Sequence, residues 1–166
     1  MYTDVSMMIE SFGAAEMAGI GSMDTGIVPS AEAVILASEV GATYPEWITM
    51  IEQGAALNCV SRIEFAIEIA SKEIDSYLAG KYRLPLTQEV IDASILPKIC
   101  ADLARYFLMD DQVTPEVIER TRAGREFLRL LSTGKAIIAG SEASSGVVSI
   151  YPEATGTKSC FNIEGY

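Results

Sequence analysis

The stretch Ala70-Ser-Lys-Glu-Ile-Asp-Ser-Tyr-Leu-Ala-Gly-Lys-Tyr-Arg-Leu-Pro-Leu86 holds the end of a helix, its stop and the link that follows. Ile74 and Tyr77 continue an apolar series that starts at Val60 and passes through Ile63, Ile67 and Ala70. Steps of three and four residues set these side chains on one helix face. The spacing predicts a long helix over residues 56–79, with Gly80 just past its end, where glycine is favoured. Phe65, Ile69 and Leu78 widen the stripe, so the helix is expected to touch more than one neighbour. Glu68 and Lys72 form an i,i+4 pair in the favourable order on the solvent side. Pro85 restricts the residue before it to extended backbone, so residues 82–86 read as a straight link.

On the C-terminal side, Pro97 suits the first turn of a helix over residues 96–110, with Ile99, Leu103, Tyr106 and Phe107 inward. Thr114-Pro115 opens a last long helix to about residue 131, an N-cap followed by proline at N1. Val117, Ile118, Phe127, Leu128 and Leu131 are its expected buried side, and Gly134 its stop. On the N-terminal side, Thr3 can cap a short helix carrying Val5, Met8, Ile9 and Phe12, ended by Gly13. Residues 14–18 add a further turn, and residues 19–29 read as a glycine-punctuated loop. Ser30 caps a helix stopped by Gly41. Another starts at Pro45, carries Trp47, Ile48 and Ile51, and stops at Gly54. Helices this short need tertiary packing to persist. The expected fold is mainly α, a small helical bundle around a long central helix. Residues 1–140 form the body. Residues 141–166 form an extended C-terminal arm with β-prone Val147, Val148, Ile150 and Tyr151. That arm either pairs as a hairpin on the body or reaches outward.

A chain of 166 residues that is 49% hydrophobic is sized for one domain with a real core. Its formal charge is −11 and its pI about 4.4, so the average surface repels a polyanion and specific nucleic-acid binding is not expected. The charge is lopsided. From Met1 to Ser61 there is no Lys or Arg, while Asp4, Glu10, Glu16, Asp24, Glu32, Glu39, Glu46 and Glu52 are acidic. This is either a solvated acidic face, or one that docks on a basic partner or lines a space kept free of sticking DNA. The three cysteines, Cys59, Cys100 and Cys160, form no disulfide framework or zinc spacing. Cys59 and Cys100 fit small buried positions, and a reducing cytoplasm is the expected site of synthesis. Neither a membrane span nor a signal peptide is expected.

The chain contains no histidine, which removes the commonest general base and metal ligand. No phosphate-binding loop or dinucleotide fingerprint is present. Asp110-Asp111 is the obvious carboxylate pair, but it stands at a helix end where solvated acids are common. The expectation is a chain with no catalytic, cofactor or metal site, and not an enzyme. Arg122, Arg125 and Arg129 share a face of the last helix, with Arg120 pointing elsewhere. They read as a salt-bridged face, or as a subunit interface that meets the acidic half of a neighbouring copy. Val147, Val148, Ile150 and Tyr151 are the other interface candidates. Asp75, Asp102 and Arg105 are expected to make an ion pair between packed helices.

The segment 70–86, with Asp75, Tyr77, Gly80, Tyr82 and Pro85, resembles the signature of the Mu-like phage structural protein family. Leu96-Pro97 with Ala101-Asp102-Leu103-Ala104-Arg105-Tyr106 is similar to the family's second helix. Thr114-Pro115-Glu116-Val117 with Leu128 and Gly134-Lys135 is similar to its third. The good match covers roughly residues 63–139, and the opening Tyr2-Thr3, Phe12-Gly13 and Glu16 match more loosely. The resemblance implies a structural virion protein, a head-to-tail connector (adaptor or head-completion) subunit of the neck. Such a subunit forms a homo-oligomeric ring between the portal protein and a tail-side neck or terminator protein, with DNA passing through the channel. Residues 30–56 look like a helical insertion ahead of the long helix, and the tail after Gly140 looks extended. The competing reading is a non-viral-structural adaptor or regulatory helical module that binds a protein partner.

Overall fold

The computed structural model describes residues 1–23, 26–39, 41–109 and 112–138. Among them the chain is mainly α, as the apolar periodicities predict. The order is α1 (Val5–Phe12), α2 (Ala14–Gly21), α3 (Ala31–Ser38), α4 (Met50–Leu78), α5 (Gln88–Asp92), α6 (Leu96–Met109) and α7 (Pro115–Ser132). The predicted arm, with Val147, Val148, Ile150 and Tyr151, lies outside the described residues, as do Asp110, Asp111 and Cys160.

α4 is the axis of the bundle. Ile63, Ile67, Ala70, Ile74 and Leu78 are buried along one side, and the helix packs on α1, α2, α3, α6 and α7. It is longer than its apolar stripe suggests. The Thr49 hydroxyl accepts the Glu52 N–H at 3.2 Å and caps the helix at Met50. Gly54, expected as a stop, lies inside it. The helix predicted from Pro45 is only a turn, closed by the Ile48 N–H on Pro45 O at 3.0 Å. Ile48 is buried while Trp47 is exposed. Burial of Ala55, Ala56 and Cys59 just after Gly54 carries α4 through a glycine that costs it roughly 1 kcal/mol relative to alanine.

Other boundaries move for equally local reasons. Asp4, not Thr3, caps α1: its carboxylate accepts the Met7 N–H at 2.8 Å. Thr3 is buried and its hydroxyl lacks a hydrogen-bond partner. α2 runs on to Gly21, shortening the predicted loop, because Met17, Ala18, Ile20 and Gly21 are buried. Gly80 does follow the C-cap Ala79, but its backbone is not left-handed. The stop comes from the Lys81 and Tyr82 N–H groups, which both donate to Leu78 O at 2.9 Å. The link that follows contains a cis Leu84–Pro85 bond and then the short α5, which lacks a period long enough to read. Thr114 occupies the N-cap of α7 without a side-chain bond to the helix, and Pro115 fills N1.

Two glycines set how closely helices meet. A Cβ on Gly21 would collide with Cys59 Sγ, so α2 lies directly against α4. The Cys59 thiol there donates to Met17 O at 3.4 Å. A Cβ on Gly124 would stand 3.2 Å from Ile99 Cγ2, the point where α7 meets α6. Phe65 and Ile118 were expected inward, yet they are 64% and 49% exposed.

Candidate functional site

Of the signature residues, Asp75, Asp102 and Arg105 have partners different from those expected. Asp75 accepts the Tyr2 hydroxyl at 2.5 Å, tying the N-terminal segment to α4. Burial and this carboxylate push the Tyr2 hydroxyl well above the usual phenol range. Asp102, nearly buried on α6, has Lys98 Nζ 3.8 Å away on its own helix. Arg105 reaches Glu16 of α2 at 2.5 Å and stacks on Phe12, with its guanidinium carbon 4.7 Å from the ring centre. The Arg105–Glu16 approach is a charge contact without aligned N–H···O geometry, since Glu16 Oε1 and Arg105 Nε have no hydrogen-bond partner. The predicted ion pair among Asp75, Asp102 and Arg105 therefore does not form. The acidic N-terminal segment contains Tyr2 and Glu16, and these long-range partners have no periodicity to reveal them. Tyr82 is buried and its hydroxyl accepts the Ile138 N–H at 3.3 Å, so the link after α4 anchors the chain beyond α7. Tyr77 is half-buried against the core, while Gly80 and Pro85 are exposed.

The arginines of α7 divide into two kinds. Arg125 is an internal clamp. Its Nε and Nη2 donate to both oxygens of Glu73 on α4, at 2.7 and 3.0 Å, and it stacks over Tyr106. The two-pronged bond raises its pKa further above an already basic value. It is not part of a free face. Arg122 and Arg129 are. Arg122 meets Glu119 at a loose 3.9 Å and Arg129 meets Glu126 at 3.1 Å, with side chains 81% and 65% exposed. Both pairs lie three residues apart on α7. On α4, the expected Glu68–Lys72 pair forms at 2.6 Å.

Sequence reasoning missed the outer face of α4. Met50, Gly54, Leu57, Ser61 and Phe65 follow one another at helical spacing, opposite the buried stripe. Met50, Leu57 and Phe65 are exposed, with Ile51 and Trp47 beside the helix start. The signal was present as a second apolar series, read instead as a widening of the first. Beside Phe65, a groove of about 460 Å³ opens between the start of α1 and the middle of α4. On the far side of the bundle, a furrow of about 520 Å³ between α6 and α7 has Ile95, Ile99 and Phe127 in its walls, with Lys98 and Arg120 on its lips.

Chemistry beyond contact is sparse among the described residues. Cys59 and Cys100 are buried free thiols. Desolvation lifts both, Cys100 to about 11, which leaves them protonated and weakly nucleophilic at neutral pH. No group of three or more His, Cys, Asp or Glu is placed to hold a metal ion among the described residues. Among the described residues no helix is long and apolar enough to cross a membrane.

Residues 2–147 match a family of bacteriophage proteins. That family is Bacteriophage Mu, Gp36, and the chain belongs to it. The match runs through residues 30–56 as well as the signature segment. A curated relative, the Mu-like prophage FluMu protein gp36 of Haemophilus influenzae (strain ATCC 51907 / DSM 11121 / KW20 / Rd), is 35% identical over 74 residues. The alignment covers 45% of this chain and 50% of the relative, so the chain spans about half the length of the curated relative it matches.

Proposed function

We propose that this chain is a structural subunit of the virion neck, a head-to-tail connector that assembles as a ring on the portal protein. In this reading a tail-side neck or terminator protein sits on the other rim, and the subunit works by binding neighbours, not by chemistry. The observation that carries the proposal is the outer face of α4. A 29-residue helix at the centre of the bundle leaves Met50, Ile51, Leu57 and Phe65 facing solvent. Exposed apolar surface of this kind marks a site of association. Membership of a bacteriophage family supplies the setting. The excess of acid over base, −11 in all, suits a wall past which DNA slides without sticking.

Electron microscopy of phage particles, with the chain labelled by an antibody raised against it, tests the proposal. Density for the label at the portal vertex is the expected result. Label found on no portal or tail end refutes it.

A further inference from the structure

Two exposed surfaces of the chain share no residue and differ in chemistry. The first is the groove between α1 and α4. Met1, Val5, Ile67 and Phe65 form its apolar lining, and Asp4, Glu64 and Glu68 carry acid along it. No Lys or Arg side chain is among the described residues lining the groove, and the positive group there is the amino terminus of Met1. The second lies on α7. Ile118 stands out from the surface, with Arg122 and Arg129 along the same face and Tyr106 at its base. Glu119 and Glu126 accompany these arginines, yet the Arg122–Glu119 contact is 3.9 Å and leaves Arg122 81% exposed.

We infer that the α7 face of one copy docks into the α1–α4 groove of a second copy, with Ile118 entering beside Phe65 and Arg122 meeting Glu64. This inference rests on the ring reading above and supplies its subunit contact. An apolar knob beside a base meets an apolar groove beside an acid, so the polarity and the charges of the two surfaces match. Groove against groove would instead place Glu64 and Asp4 of both copies together, and like charges disfavour that pairing. The contact is therefore between two different surfaces, the type that propagates head to tail and closes into rings. Arg125 plays no part, being committed to Glu73 within its own chain.

Cross-linking of the full-length chain tests the contact. In a Cys160→Ser background, Glu64→Cys and Arg122→Cys are introduced singly and together, and a short bis-maleimide is added at high protein concentration. The double variant is expected to give a ladder of multimers, and each single variant to remain monomeric. Dimers from either single variant would show a self-paired surface and overturn the inference, as would a double variant that yields monomer alone. Charge exchange gives a second arm, read by sedimentation. Glu64→Arg and Arg122→Glu are each expected to weaken self-association about tenfold, the size of one lost interfacial charge pair. The two together are expected to recover most of it, and additive loss overturns the pairing. Failure here is separable from failure of the neck assignment. A chain located at the portal vertex that gives no ladder refutes only the contact. A ladder from a chain missing from the vertex refutes only the location.

Discussion

Replacing Arg125 with alanine isolates the clamp between α7 and α4. The variant removes two charge-assisted hydrogen bonds, at 2.7 and 3.0 Å, together with a guanidinium stacked 5.2 Å from the Tyr106 centroid. It leaves the Glu73 carboxylate, only 20% exposed, without its cation. Exposed ion pairs contribute up to about 1 kcal/mol, while breaking a fully buried pair costs about 3–5 kcal/mol. Arg125 is itself 34% exposed, so solvent screening places the loss between these limits, at about 2 kcal/mol. For a body of this size that lowers the melting temperature by roughly 4–8 °C. Urea and thermal unfolding followed by circular dichroism measure the change. A cycle with Glu73→Gln separates the pair from the stacking, and a coupling of about 1 kcal/mol or more is expected because the residues touch. The Arg122→Ala control, at an exposed and loosely paired position, should stay within about 0.5 kcal/mol of the parent. If Arg125→Ala were as mild as that control, or if the cycle were additive, the clamp would be ornamental and the division of the α7 arginines wrong.

Three further outcomes follow from local geometry. Asp4→Ala should cost about 1 kcal/mol through loss of the α1 cap, whereas Thr3→Val should be neutral or stabilising because it deletes a buried, unpartnered hydroxyl; chemical denaturation of the two variants would reverse the cap assignment if the order were inverted. Gly124→Val should destabilise by about 1–3 kcal/mol by forcing α7 away from Ile99, while Gly54→Ala in open space should gain up to about 1 kcal/mol of helix propensity, and equal effects at the two sites would discount the close approach. Alkaline pH should weaken the fold: the Cys100 thiol ionises near 9 when unfolded but near 11 when folded, so its contribution is full below pH 9 and is lost as pH rises to 11, amounting to about 2–3 kcal/mol. Cys100→Ala should flatten that part of the stability–pH curve, and an unchanged slope between pH 9 and 11 would assign the loss to other groups such as Tyr2.

How far the sequence could be read depends on the range of the interaction. The α4 stripe, the α6 face, the α7 face apart from Ile118, and the Ser30 cap are written in neighbours three or four residues apart, and they come out as expected. Capping by Asp4 over Thr3 is a choice between adjacent side chains that only the entry angle of the chain decides. Gly54 is a stop by its own propensity, overruled by burial of Ala55, Ala56 and Cys59 just after it. The partners of Asp75, Arg105 and Arg125 lie 73, 89 and 52 positions away in sequence, where no spacing rule reaches. The proposed interaction surface is half legible. Arg122 and Arg129 are recognisable from their common helix face, but a hydrophobic side chain such as Phe65 or Ile118 carries no mark that it faces outward. Phe65 widens a buried stripe on paper and lies opposite it in space.

The length of α4 has a mechanical meaning. At 29 residues it extends about 43 Å, and α1, α2, α3, α6 and α7 are all seated on it. A helix braced along its length by five others cannot bend without disturbing each seat at once, so the body turns as one stiff lever. A tilt of roughly 5° at one end of such a rod displaces the other by roughly 4 Å. In the ring proposed above, small changes of angle where the exposed end of α4 meets a neighbour would be converted into travel at the Tyr82 end, and any give would reside in the joints between copies.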